Sequence, residues 1–459
     1  MKKKIFALLA AVTMALGLSG CGDTQLRLNL NPQELYALPE LPAQYTALNG
    51  LISGILAGGA EYAAPTTGTQ VQNVQMVDLD NDGKDEAVAF FRNVGEEKPL
   101  KIYIFKTVEE EFRPAAVIEG SGTAISSVNY TDLNSDGRTE IVVGWKVNTE
   151  LQALSVYALR KGSGEELLRP EEVLKSVNYV KYAISDLDRD ALQEVVILRA
   201  DEEGNGIAEY YTWGQSGNMA QSATAVSMTM AELSRQGRVT EGTLADGTHA
   251  LFVTGVNDEN RAITDILTLS GGELDNILLS ASTGVSRCIS DFYGLYPTDM
   301  DGDGVTEVPV PSRLPGWSEE SPVYYRIDWM QFSDSGTGET VLQTYHDMES
   351  RWYFRLPASW MEEIIIGRST ISDEAAVTFY RLSSNTEEKP APILRITAIT
   401  GANRDIKAIR GGRFILSRQM ETTYTAELLE GNELWEHGLT TDEVRGAFSI
   451  IAAEWTAGN

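Results

Sequence analysis

One nine-residue acidic segment, repeated at a fixed interval, limits what this chain can fold into more than any other feature. "DLDNDGKDE" at 78–86 returns as "DLNSDGRTE" at 132–140, "DLDRDALQE" at 186–194 and "DMDGDGVTE" at 299–307. The first acid steps by 54 residues from Asp78 to Asp132 and again to Asp186, then by 113 to Asp299. The long gap is two steps, and "GTLADGTHALFVTG" from Gly242 fills it, keeping Asp246 and Gly247 but none of the other acids. A fixed period marks a repeat architecture, so five units of about 55 residues are expected between about residues 65 and 345.

Each unit reads as four short apolar runs broken by turns. In the second unit the runs are Ile125 to Tyr130, Ile141 to Val147, Leu154 to Leu159 and Leu167 to Val173. β-branched and aromatic runs separated by Gly, Asp and Asn are strands and turns, and four strands per repeat is the pattern of a propeller blade. The acidic loop joins the first strand of a unit to the second.

Alternating carboxylates on a tight turn converge oxygens on one point, which suits a hard cation such as Ca²⁺, and Gly at the sixth position permits the bend. An EF-hand needs a bidentate Glu at the twelfth position, where this chain has Ala89, Val143, Ile197 and Val310. The recurring acid is at the ninth, as Glu86, Glu140, Glu194 and Glu307, and a strand follows it. The pattern D-x-[DN]-x-D-G-x-x-[DE], ending in a run such as "IVVG", resembles the FG-GAP or VCBS repeats of integrin-like β-propellers. That resemblance implies calcium bound by the loop side chains. Position by position the ligands would be Asp78, Asp80, Asp82 and Glu86; Asp132, Asn134, Asp136 and Glu140; Asp186, Asp188, Asp190 and Glu194; and Asp299, Asp301, Asp303 and Glu307. The third loop departs from the pattern with Ala191 where Gly is expected, and a Cβ disfavours positive φ. Three to four Ca²⁺ sites are expected, with the fourth unit metal-free.

Before the repeats, Lys2 to Lys4 precede an apolar run from Ile5 to about Leu18 and the sequence Leu18-Ser19-Gly20-Cys21. The run falls short of the roughly 20 apolar residues that span a bilayer and reads as a secretion signal over residues 1–20. It resembles the lipobox of bacterial lipoproteins, which implies lipid on Cys21 and an extracytoplasmic protein anchored to the cell membrane. Cys288 is the only other cysteine, so a lipidated chain would have no internal disulfide, and metal would be an alternative source of stability. Residues 1–20 contribute three of the 37 basic residues and none of the 66 acidic ones, so the mature chain would carry −32. Such a charge excludes nucleic acid as an expected partner. Residues 21–64 read as a Pro-rich tether and a helix from about Ala43 to Ala57, with Tyr45, Leu48, Ile52, Ile55 and Leu56 at helical spacing.

The acidic loop disappears after the propeller segment, 65–347. "YFRLPASWMEEIIIG", "AAVTFYRL" and "ILRITAIT" read as strands, and "LTTDEVRGAFSIIAAEW" as a terminal helix with a Thr440–Glu443 capping box and Val444, Phe448, Ile451 and Trp455 on one face. Residues 348–459 are therefore expected to form an α+β domain, and the "LPxSW" entry with its "VTFY" strand resembles PsbP-like modules. The alternative is two further degenerate blades, making seven. No catalytic constellation emerges. His249, His346 and His437 share no zinc-type spacing and read as surface or loop residues, while Cys288 reads as small buried packing. Trp145, Trp213, Trp317, Trp329, Trp352 and Trp360 could line a ligand surface but read mostly as packing, with Trp317 in "PSRLPGWSEESP" the best exception. The expectation is a mainly β surface lipoprotein whose calcium-stabilised propeller is a binding or scaffolding platform for an extracellular protein or glycan, and not an enzyme. The alternative is a polysaccharide-acting enzyme or enzyme subunit.

Overall fold

A computed structural model describes residues 43–162, 168–214, 217, 219–317, 322–360, 363–383 and 389–451. The expected signal, Cys21, most of the expected tether and Trp455 lie outside these residues. The chain is mainly β, and its described strands form six antiparallel sheets. The first holds β1 (Glu61–Tyr62), β2 (Val74–Val77), β3 (Glu86–Arg92), β4 (Leu100–Val108) and β5 (Glu111–Gly120), with β1 and β2 both paired to β3. The second is the meander β6 (Ala124–Thr131), β7 (Glu140–Lys146), β8 (Gln152–Lys161) and β9 (Leu168–Tyr179). These four strands fall on the four apolar runs of the second repeat. The third is β10 (Lys181–Ser185), β11 (Glu194–Ala200), β12 (Gly206–Trp213) and β13 (Met219–Ala225). The fourth runs β14 (Arg238–Thr243), β15 (His249–Val256), β16 (Arg261–Ser270) and β17 (Glu273–Asn276), with β18 (Cys288–Asp291) also on β16.

Side chains alternate across each strand, so both faces of a sheet can be buried. In β7, Ile141, Val143 and Trp145 pack on the first sheet, whereas Val142 joins the core shared with the third. The third and fourth sheets share a further core, and so do the fourth and fifth. The sheets therefore stack face to face in chain order. At the start of the stack, Leu48 and Ile52 of helix α1 (Ala43–Ala57) cover Ala87, Ala89, Phe91 and Phe105 on the outer face of the first sheet. A second helix, α2 (Met230–Gln236), was not anticipated. Thr229 and Glu232 close a capping box on it, and Leu233 is buried between the third and fourth sheets.

The fifth sheet corrects the expected C-terminal organisation. It comprises β19 (Val308–Arg313), β20 (Tyr325–Phe332), β21 (Gly338–Asp347), β22 (Trp352–Arg355) and β28 (Phe448–Ile450). The break expected at 347/348 thus falls in the β21–β22 hairpin, because Trp352 and Phe354, both fully buried, continue the apolar pattern into the next strand. The terminal helix is also shorter than expected: α5 (Thr441–Ala447) keeps its Thr440–Glu443 box, but Phe448 leaves it in extended conformation and pairs with Phe354. The sixth sheet is ordered β23 (Ile364–Ile371), β24 (Glu374–Arg381), β25 (Ala391–Ile399), β27 (Thr423–Leu428), β26 (Phe414–Arg418). The short helix α3 (Arg404–Ala408) precedes β26, and α4 (Glu430–Glu433) follows β27. This order is not the plain meander of the repeats. Among the described residues it is also one sheet, where the seven-bladed alternative needs two. It shares its core, built on Trp352, Phe354, Trp360 and Phe379, with the fifth sheet.

Candidate metal sites on the acidic loops

The four acidic loops follow one backbone path. Their fourth and sixth residues all have positive φ: Asn81 and Gly83, Ser135 and Gly137, Arg189 and Ala191, Gly302 and Gly304. Ala191 holds φ 71° despite its Cβ, so the third loop reaches the same shape under local strain. The first Asp holds this turn closed. Asp78 Oδ2 accepts from Gly83 N at 2.9 Å, Asp132 Oδ2 from Gly137 N at 2.9 Å, Asp186 Oδ2 from Ala191 N at 3.1 Å and Asp299 Oδ2 from Gly304 N at 3.0 Å.

The ninth residue seals the base. Glu86, Glu140, Glu194 and Glu307 are at most 1% exposed, and each accepts the backbone N–H of the loop's second residue at 2.7–3.0 Å. Burial pushes the carboxyls of Glu86, Glu140 and Glu194 up to about 7, the backbone N–H opposes this, and neighbouring aspartates add to it. Glu307 is also raised by burial, with Met300 N–H and Gln331 opposing.

What separates the loops lies opposite that glutamate, on the strand that follows it in each sheet: β4, β8, β12 and β20. Continuing the ladder by one residue, Glu86 faces Lys106, Glu140 faces Ala158, Glu194 faces Thr212 and Glu307 faces Gln331. Lys106 reaches into the first loop, where its ammonium donates to Asp80 and to Asp82 Oδ2 at 3.2 Å and lies 3.7 Å from Glu86 Oε1. Burial works against its charge, but the bonds to Asp80 and Asp82 outweigh that and raise its pKa. In the second loop the Asn134 amide donates to Glu140 Oε1 at 3.2 Å, and Arg160 stands 3.8 Å from Asp136. In the fifth, the Gln331 amide bridges Asp303 Oδ2 at 2.9 Å and Glu307 Oε1 at 2.7 Å. In the third, among the described residues, no Lys or Arg pairs with any of the four acids.

Several of these clusters could hold a metal ion. Asp186, Asp188, Asp190 and Glu194 bring one oxygen each to within 4.8 Å of one another, as do Asp78, Asp80 and Glu86, and Asp299, Asp301 and Asp303. Oxygens on opposite sides of a calcium ion, with bonds of about 2.3–2.6 Å, lie roughly 5 Å apart. The third loop fits best: four carboxylates, one buried, with no cationic side chain paired to them among the described residues. Burial, with Asp190 and Asp186 nearby, raises the Asp188 carboxyl, as expected where a counter-charge is missing. In the first loop Lys106 already supplies that charge, although Asp80 Oδ1 is buried without a partner. Glu140 is brought beside Asp132, Asn134 and Asp136, but the second loop forms no such group of three acids among the described residues.

The fourth unit uses its one acid differently. Asp246 accepts from Thr248 N at 2.9 Å and from Asp334 N of the fifth sheet at 2.7 Å. The unit's shorter loop brings His249 opposite Thr243, the ladder place that Glu holds in the first three units, and His249 Nδ1 meets Asp186 O at 3.0 Å. His346 corrects its expected surface position. It is 1% exposed on β21, stacked on Tyr353 at 5.3 Å, because the strand turns it into the core. His437 is partly exposed. Cys288 is buried and its thiol is pushed up to about 12 by burial, with Asp265 adding to it. Trp145, Trp329, Trp352 and Trp360 are core residues, and Trp213 is half-buried with Arg160 over its ring. Trp317 is 48% exposed, but its indole N–H donates to Ile366 O at 3.2 Å and its ring meets Tyr380.

The fold and site thus define a stacked-sheet β protein with buried-glutamate acidic loops. Neither a protein-family model nor a curated protein matches the chain.

Proposed function

We propose that this chain is an extracytoplasmic, lipid-anchored binding module, a propeller-like stack whose calcium-holding loops fasten neighbouring sheets and leave ligand recognition to other surfaces. The observation that carries this is where the loops sit. Thr139 N, beside Glu140, donates to Leu79 O of the first loop at 2.9 Å, Thr306 N donates to Thr243 O at 2.8 Å, and His249 meets the third loop's Asp186. Each junction between repeat sheets that these bonds cross is therefore stiffened by whatever stiffens its loop. On this reading the five repeat sheets are blades, α1 covers the face a preceding blade would take, and the sixth sheet closes the other end.

A ligand that binds only the folded state raises its stability. EDTA should therefore lower the melting temperature and added Ca²⁺ restore it, and a curve unmoved by either would sink the metal assignment. Cys21→Ala should release the chain from the membrane fraction. Saturable glycan or protein binding without turnover separates this reading from a polysaccharide-acting enzyme.

A further inference from the structure

Away from the acidic loops, a cleft of about 780 Å³ opens along the edge formed by β6, β10 and β14, the first strands of three consecutive sheets. That is the size of a small-ligand site. A second cavity of about 250 Å³ adjoins it beside Tyr296 and Trp329, and Arg238 and Thr240 line both.

The wall is polar and held in place. Tyr182 Oη bonds with Ser127 Oγ at 2.8 Å and accepts from Asn129 Nδ2 at 2.7 Å, while Ser126 Oγ and Tyr179 Oη both donate to Gln152 Oε1, at 2.7 and 3.0 Å. Gly144 makes this arrangement possible, since a Cβ there would stand 2.5 Å from Tyr179 Oη and 2.6 Å from Ser127 Oγ. The two tyrosine rings meet edge to face at 5.2 Å. Such a surface sets fixed hydroxyls and amides beside ring edges and apolar side chains, which suits both the hydroxyls and the C–H faces of a sugar.

Where the two cavities meet, the chemistry changes. The Arg238 guanidinium lies 5.3 Å over the Tyr296 ring, and among the described residues no carboxylate pairs with it, in a chain with 66 acids. Beside it, Thr240 Oγ1 is buried without a hydrogen-bond partner. Lys181 adds a second cation to the wall, and the one acid there, Glu241, accepts from Ser185 at 2.7 Å. A guanidinium held on an aromatic face presents a fork of donors that matches a carboxylate.

We propose that this cleft binds a short saccharide bearing a carboxylate, with Arg238 receiving the carboxylate and the Tyr179–Tyr182 wall the hydroxyls. Uronic and sialic acids share this chemistry. The net charge of −29 opposes a long polyanion and favours a ligand with one or two charges. The proposal rests on the binding-module reading and names its ligand class.

The test is calorimetry on the calcium-loaded mature chain with digalacturonate, sialyllactose, lactose and an acidic peptide of equal charge. One of the two acidic sugars should bind, and which one does identifies the source. Lactose should bind at least about tenfold more weakly, since a charge-assisted pair is lost. Arg238→Gln should cost the acidic sugar about tenfold or more and leave the calcium-dependent melting shift unchanged. Gly144→Ala should weaken both sugars by crowding the wall. Absence of acidic-sugar binding, equal binding of lactose, unaltered binding by Arg238→Gln, or binding of the peptide alone would each overturn the proposal. Peptide binding would leave the binding-module reading standing. A melting curve indifferent to calcium would strike the metal assignment and not this one.

Discussion

The first and third acidic loops have the same turn, the same buried glutamate and the same aspartate spacing, yet they balance their charge in different ways. In the first, Lys106 from β4 places an ammonium among Asp80, Asp82 and Glu86. In the third, Thr212 stands at the matching ladder position and four acids converge with no cation paired to them among the described residues. A shared loop sequence therefore specifies a shape and a buried anion, while one residue on another strand decides whether the protein or the solvent supplies the counter-charge. The first loop is a self-contained clip, and the third is one whose carboxylates could hold a metal ion.

The most damaging way to break this comparison is Lys106→Met. Removing one partner of a half-buried charge cluster costs up to about 3 kcal/mol, because Glu86 at its base is left uncompensated. Chemical denaturation in EDTA should register that loss. With Ca²⁺ present most of it should return, and the calorimetric stoichiometry should rise by one ion. A variant as stable as wild type in EDTA would show that Lys106 contributes nothing to the loop.

Thr212→Lys is the reverse experiment. An ammonium opposite Glu194 should compete with metal, so the calcium-dependent stabilisation from this loop, about 2.7 kcal/mol at a hundredfold excess over Kd, should largely vanish. Urea titrations with and without calcium measure it. An undiminished calcium response would mean that the third loop is not where the metal acts.

Smaller, but sharper in sign, is the pair Asp80→Asn and Asp188→Asn. The two residues occupy the same third position, and the one backbone bond involved, Asp190 N to Asp188 Oδ1 at 3.1 Å, can be kept by an Asn carbonyl, so the backbone is spared in both. In EDTA, Asp80→Asn should destabilise by about 1–2 kcal/mol because Lys106 loses an ionised partner. Asp188→Asn should stabilise the metal-free chain by up to about 1 kcal/mol, by removing one of four mutually repelling charges. Equal signs would erase the distinction between the loops.

The sequence made the repeat legible because it specifies local geometry. Alternating apolar runs placed the strands of the second sheet, helical spacing placed α1, and the ninth-position acid marked the buried glutamate. Lys106 was not legible as part of the loop. It lies 20 residues beyond Glu86, and finding it requires the ladder register rather than a motif. Ala191 misled in the other direction: a missing glycine suggested the weakest loop, but the surrounding capping bonds hold Ala191 at positive φ, and that loop gathers the most carboxylates. The C-terminal exchange, in which Phe448 leaves α5 to pair with Phe354, was hidden because a short apolar run fits a helix and an edge strand equally well.

Proton effects overlie the metal effects, and His346 allows them to be separated. Its ring is buried between Tyr353 and Trp329, and burial pushes its pKa from 6.5 down to about 3. The folded chain thus keeps the ring neutral while the unfolded chain protonates it. The resulting stability is fully present above pH 6.5 and is lost progressively as pH falls from there toward 3. At pH 6 the loss is about 0.8 kcal/mol, the smallest effect considered. It should be the same in EDTA and in Ca²⁺, because His346 lies in the fifth sheet's core and not on a loop. His346→Gln should remove this component, and comparing its pH profile with wild type in EDTA isolates the part of acid sensitivity that belongs to the core. If the substitution leaves the profile between pH 6.5 and 5.5 unchanged, the acid sensitivity comes from other groups, and the loop comparison must then be made at a single pH.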